Sequence, residues 1–263
     1  MLSNRKVAVV TGGANGIGLS CTIKFLQQDY VVICVDIDEL ALDVVRKRYK
    51  SDQLVVQKVN VSLESEVSLL SNFVGQNYAK AEALVNCAGI QTYGSLNETT
   101  EHLWDSTFNV NLKSMFFMAK YFVPLMKKNG KGSIVNLSSV QSLVSQKGVL
   151  AYAASKGAIN AFSRALAIDL ADSQIRVNSV LPGSVDTPML RKAADLFRGA
   201  KSAANVVDEW GQAHPIGRVA SGSEIAELIF FLSSDSSSFI TGSQYVIDGG
   251  LTSQLPVILP TGN

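Results

Sequence analysis

Tyr152 and Lys156 stand four residues apart in YAASK. On a helix that spacing puts both side chains on one face. A nearby ammonium stabilises phenolate and lowers the pKa of the phenol, so the tyrosine could act as a general acid or base close to neutral pH. A lone pair of this kind occurs on many helices as a surface contact, so it needs company. Ser139 in NLSSV lies thirteen residues upstream of Tyr152, and Asn111 in NVNL lies further back.

A second constellation opens the chain. TGGANGIG, Thr11 to Gly18, has glycines at 12, 16 and 18 between an apolar run and an amphipathic stretch around Leu19 to Gln27. Glycine allows a tight turn and lets a pyrophosphate approach backbone amides at a helix N-terminus, where the helix dipole favours negative charge. The spacing is GxxxGxG, and the strand before it and helix after it carry the argument more than the glycines do. Asp36 falls eighteen residues beyond Gly18, where a dinucleotide fold places the acid that hydrogen-bonds the adenosine ribose and repels a 2′-phosphate. Asn15 is neutral and no arginine flanks Asp36, so NAD is expected over NADP.

These residues need a scaffold, and the hydrophobic pattern supplies one. Short Val- and Ile-rich runs recur at KVAVV, Val31 to Val35, Leu54 to Val59, Ala83 to Asn86, Ser133 to Leu137, Arg176 to Val180 and Gln244 to Ile247. Stretches with helical spacing, such as Leu63, Val67, Leu70, Phe73 and Val74, alternate with them. Runs that are apolar on both faces suit a parallel sheet covered by helices on either side. The expectation is one α/β domain over 1–263, a Rossmann-like doubly wound parallel sheet of about seven strands. A long insert at about 187–217 is expected to act as a substrate lid.

Composition agrees with a packed globular protein and removes other classes. The chain has 263 residues, 47% hydrophobic and 17% charged, with 23 basic against 22 acidic residues and a net charge of +1. No basic face for nucleic acid is expected. Cys21, Cys34 and Cys87 have no CxxC spacing and an odd count, which argues against a disulfide framework and a structural zinc site. His102 and His214 lie far apart and read as ordinary surface or cap residues, so no metal is expected. No apolar stretch reaches the length of a membrane span. A reducing, cytoplasmic setting is expected.

With NCAG at Asn86 to Gly89 and PG at Pro182 and Gly183, these motifs together make the chain resemble the short-chain dehydrogenase/reductase family from Lys6 to Gly250. The resemblance implies that Tyr152 exchanges the proton and that Lys156 lowers its pKa and binds the nicotinamide ribose. It further implies that Ser139 holds the substrate oxygen and Asn111 anchors a relay water. It implies a cofactor groove lined by Gly12, Asn15, Gly16, Ile17, Gly18, Asp36, Asn60, Val61, Asn86, Ala88 and Gly89, with Pro182, Gly183, Val185 and Thr187 at the nicotinamide end. Asn60 departs from the family's usual Asp and is expected to accept from the adenine amine instead. The loops that form the substrate pocket in this family here carry Gln91, Thr92, Gln141, Ser142 and Gln146. Glutamine donates and accepts, so a polyol, sugar or hydroxy acid is expected; the alternative is that these are solvated loop positions and that Leu143, Val144, Met189 and Leu190 line an apolar pocket. The family also implies a homotetramer or dimer. Two other readings are an NADPH-linked 3-oxoacyl-type reductase and a catalytically silent dinucleotide sensor that binds a partner protein.

Overall fold

The computed structural model describes residues 5–255. The seven Val- and Ile-rich runs form β1 (Val7–Thr11), β2 (Val31–Asp36), β3 (Leu54–Lys58), β4 (Ala83–Asn86), β5 (Gly132–Leu137), β6 (Ile175–Pro182) and β7 (Gln244–Ile247). They pair in parallel in one sheet, in the order β3-β2-β1-β4-β5-β6-β7. Between them run α1 (Gly16–Gln27), α2 (Glu39–Arg48), α3 (Glu64–Tyr78), α4 (Glu101–Phe108), α5 (Ser114–Lys128), α6 (Leu150–Asp169), α7 (Pro188–Phe197), α8 (Ala203–Gln212) and α9 (Gly222–Ser233).

Side chains alternate across a strand, and β1 divides its residues between two cores accordingly. Val7 and Val9 pack with Leu70, Phe117 and Phe122 of α3 and α5 on one face. Ala8 and Val10 pack with Cys21, Phe25, Ile225 and Ile229 of α1 and α9 on the other. Both faces are covered, which is why the strand runs are continuously apolar rather than alternating.

Three local features shape the site. The chain builds outward from β1 to β3, then returns to β4 on the opposite side of β1, so the strand order reverses between β1 and β4. The stretch Leu103 to Lys128, which reads as one long helix, is broken by a π-helical turn at Asn109–Lys113 that contains Asn111. The insert at about 187–217 is mostly helical. Thr187 caps α7 ahead of Pro188 by accepting from the Leu190 amide at 3.2 Å, and Ser202 caps α8 in the same way through Asn205. Its two ends meet in a short ladder, with the Ala220 amide donating to the Ser184 carbonyl at 2.9 Å and the Asp186 amide to Ala220 at 2.8 Å.

Candidate active site

In register, Thr11 of β1 lies beside Asn86 of β4, and the loops that leave these two strand ends part to form a crevice. Open parallel sheets bind ligands at such a reversal point. Gly12 has φ of +62°, and a Cβ there would sit 2.9 Å from the Ala88 backbone. A Cβ on Gly18 would meet the Gly12 carbonyl oxygen at 2.0 Å. The turn is therefore sterically restricted to glycine at both positions. No side chain caps the first turn of α1 at Asn15, and no acid lies in that turn, so its free amides are available to an anion.

Asp36 ends β2 with its carboxylate held by two backbone amides, from Ala14 to Oδ2 and from Asp38 to Oδ1, each at 3.1 Å. The cap of α2 is Asp38, which accepts from Ala41 at 3.0 Å. Asp36 is thus spared for the crevice. Lys58, its register partner on β3, bonds Glu39 at 2.6 Å and brings no uncommitted charge to this end.

At the other end α6 presents Tyr152 and Lys156. The neighbouring Ser139 hydroxyl draws the Tyr152 pKa down, but burial pushes the phenol up to about 12. Lys156 is also buried, and burial lowers its ammonium to about 8. Its Nζ donates to the Leu137 carbonyl at 2.9 Å and lies 5.5 Å from the Tyr152 ring centre. Desolvation is the largest influence on both groups, and one of the three N–H bonds of the Lys156 ammonium goes to the Leu137 carbonyl.

One cavity of about 910 Å³ joins the two ends. Gly12, Asn15, Gly16, Ile17, Gly18, Asp36, Asn60, Val61, Ala88, Gly89, Pro182, Gly183, Val185 and Thr187 line it, as do Ser139, Tyr152, Lys156, Gln91, Gln141 and Gln146. Asn86 and Asn111 lie behind the wall. Asn86 Nδ2 donates to Asn136 Oδ1 at 2.8 Å. Asn111 accepts from the Ile90 amide at 2.8 Å and donates to the Ile90 carbonyl and to Ser155 Oγ, both at 3.0 Å. Thr92 pairs with Thr107 at 2.9 Å, and Ser142 donates to the Ser139 carbonyl at 2.6 Å, so neither reaches the cavity. Asn60 faces it, but its Oδ1 accepts from the amide and hydroxyl of Ser62, at 3.1 and 2.7 Å, which leaves less of it for an adenine amine.

His214 is not a surface residue. It is 3% exposed, its Nδ1 lies 2.5 Å from the Asp248 carbonyl, and its Nε2 has no partner among the described residues. Gly183 accommodates it, since a Cβ there would meet its Cε1 at 2.6 Å. Trp210 of α8 lines the cavity, together with Tyr93, Phe197, Leu251 and Thr252, which periodicity does not single out because they lie in loops or at element ends. Among the described residues no group of three or more metal-ligating side chains comes together, and no helix is long and apolar enough to cross a membrane.

The family model described as enoyl-(acyl carrier protein) reductase matches residues 12–252. The chain is 38% identical over 251 residues to a 3-oxoacyl-acyl-carrier-protein reductase of Thermotoga maritima, covering 94% of this chain and 97% of that one. It is 36% identical over 251 residues to a cyclopentanol dehydrogenase of Comamonas testosteroni, covering 95% and 98%. Among solved structures, the aldohexose dehydrogenase of Thermoplasma acidophilum superposes with a TM-score of 0.90 at 32% identity, covering 97% of both chains.

Proposed function

Because the chain belongs to the short-chain dehydrogenase/reductase family, and is thereby an oxidoreductase, we propose that it uses NAD to interconvert a secondary alcohol and its ketone, with the alcohol carrying further hydroxyl groups. The observation that carries this reading is the single cavity running from the Asp36 carboxylate to the Tyr152 hydroxyl. The bare glycine turn, the free amides of α1 and the fixed Asp36 carboxylate suit a dinucleotide with unesterified ribose hydroxyls. A 2′-phosphate would meet Asp36 with no uncommitted cation beside it, a repulsion of about 4 kcal/mol at intermediate dielectric.

The bound nicotinamide supplies a carbon that accepts or releases hydride. The protein's own groups handle the proton and the geometry. Tyr152 takes the proton from the alcohol or returns it to the ketone oxygen, and Ser139 holds that oxygen by its hydroxyl. Lys156, pinned to Leu137, orients the ribose and offers positive charge to the ionising phenol. The Asn111 side chain fastens the π-helical turn to Ile90 and to Ser155 of α6, which fixes the catalytic helix against the cofactor loop. Pro182, Gly183, Val185 and Thr187 form the wall at the nicotinamide end.

Gln91, Gln141 and Gln146 line the cavity and support a hydroxylated substrate, because a glutamine amide both donates and accepts hydrogen bonds. The apolar Val144, Met189 and Leu190 in the same cavity favour a second reading, a cyclic monoalcohol. Steady-state kinetics with NAD and NADP over polyols, sugars, hydroxy acids and cyclic monoalcohols tests both. Equal efficiency with NADP would remove the Asp36 argument, and preference for monoalcohols with Gln141→Leu fully active would favour the second reading.

A further inference from the structure

Tyr93 lies on the loop that follows the NCAG turn and lines the same cavity as Tyr152. Its backbone is fixed on both sides. Thr92 is tied to Thr107 of α4 at 2.9 Å, and the Gly94 amide donates to the Gly148 carbonyl at 2.7 Å, just before α6 begins. The position of Tyr93 is thus referred directly to the helix that carries Tyr152. Its ring meets Phe197, the last residue of α7, edge to face, with centres 4.8 Å apart and planes at 78°. Aromatic pairs favour this arrangement, and here it bridges the fixed loop and the lid. Phe197 is otherwise half exposed, and its contact with Tyr93 adds to the burial of Ala193 and Ala194 of α7 in seating the lid tip.

The hydroxyl of Tyr93 has a different fate from its ring. Burial alone raises its pKa, with no hydrogen-bonding neighbour contributing. Tyr93 and Tyr152 line the same cavity. Among the described residues the Tyr93 hydroxyl has no hydrogen-bond partner, and a half-buried phenol on a fixed loop of the cavity wall is a recognition group for a polar atom on the ligand.

We propose that Tyr93 is a specificity-determining residue: its ring closes the lid through Phe197, and its hydroxyl hydrogen-bonds a second hydroxyl of the substrate near the reacting carbinol. The proposal rests on the dehydrogenase reading above and narrows it to diols and higher polyols.

The test compares cyclohexanol with cyclohexane-1,2-diol and cyclohexane-1,3-diol, using NAD and the wild-type, Tyr93→Phe and Tyr93→Leu enzymes. Tyr93→Phe keeps the ring and removes only the oxygen. It should lower kcat/KM for the preferred diol by about tenfold, the size of one lost neutral hydrogen bond, chiefly through KM, and leave cyclohexanol unchanged. Tyr93→Leu should lower kcat/KM for all three and speed tryptic cleavage after Arg198 and Lys201, beside the lid tip. A Tyr93→Phe enzyme with the wild-type ratio of diol to monoalcohol efficiency would overturn the hydroxyl role, and unchanged proteolysis of Tyr93→Leu would overturn the clasp. Wild-type enzyme inert toward all three and toward the wider alcohol panel would instead sink the dehydrogenase reading, and is told apart because it appears before any substitution.

Discussion

Burial moves Tyr152 and Lys156 in opposite directions because it opposes charge on either group. The phenol rises to about 12 and the ammonium falls to about 8 from its usual 10.5. A lysine whose folded pKa lies below its unfolded one destabilises the fold fully below the folded value, and the cost fades as pH rises from 8 to 10.5. Lys156→Met should therefore be more stable than wild type at pH 7 by about 1–3 kcal/mol while losing activity and cofactor affinity. Urea melts at pH 7 and pH 10 would check that the gap narrows. Tyr152→Phe removes only the ionisable oxygen, so turnover should nearly vanish while NADH binding, followed by fluorescence quenching, changes little. In the oxidative direction the wild-type rate should climb as pH rises toward the phenol's pKa. At the far end of the cavity, Asp36→Ala removes the carboxylate that two amides hold in place. It should raise the ratio of NADP to NAD efficiency at least about tenfold, as measured by steady-state kinetics.

Elements position these groups through their ends. The α9 helix starts with a reciprocal cap in which Ser221 accepts from the Glu224 amide and Glu224 accepts from the Ser221 amide at 2.8 Å. Arg218 adds an ion pair at 2.7 Å, and Glu224 is held down near 2 by Arg218 and Ser221. This cap fixes the point where the 187–217 insert rejoins the body and where α9 begins to pack on α1, the helix below the glycine turn. Ser221→Ala should cost about 1 kcal/mol and lower Tm by about 2–4 °C, as calorimetry can record. The π-helical turn at Asn109–Lys113 is a second such device. Its side-chain amide bonds reach two other elements at once, and no periodicity in the sequence marks the extra residue in the turn.

For the whole molecule, apolar side chains remain outside on the long helices and at the sheet edge. Phe116 of α5 and Ile168 of α6 are 47% and 76% exposed, and Phe239, ahead of β7, is fully exposed. Together with the family membership this supports a homo-oligomer, tetramer or dimer, built on those surfaces. Light scattering after size exclusion should give a multiple of the 28.2 kDa chain mass, and Ile168→Asp should lower it. A monomer at micromolar concentration would count against the proposal.

The sequence by itself determined the sheet, the glycine turn, Asp36 and the Tyr152–Lys156 pair, because each rests on a local rule. A strand buried on both faces needs an unbroken apolar run, a crowded turn needs glycine, and a four-residue spacing shares a helix face. Tertiary structure decided what depends on neighbours distant in the chain. Only packing could reveal that Asn86 and Asn111 stand behind the cavity wall, that Asn60 is turned toward Ser62, and that His214 is buried against Gly183 and Asp248. The raised phenol of Tyr152 has the same origin: proximity of Lys156 was legible in the spacing, but burial, which outweighs it, is set by the walls around α6. Tyr93 and Phe197 are 104 residues apart in number and belong to a loop and a helix end, so nothing local relates them until the 187–217 insert packs beside the cavity.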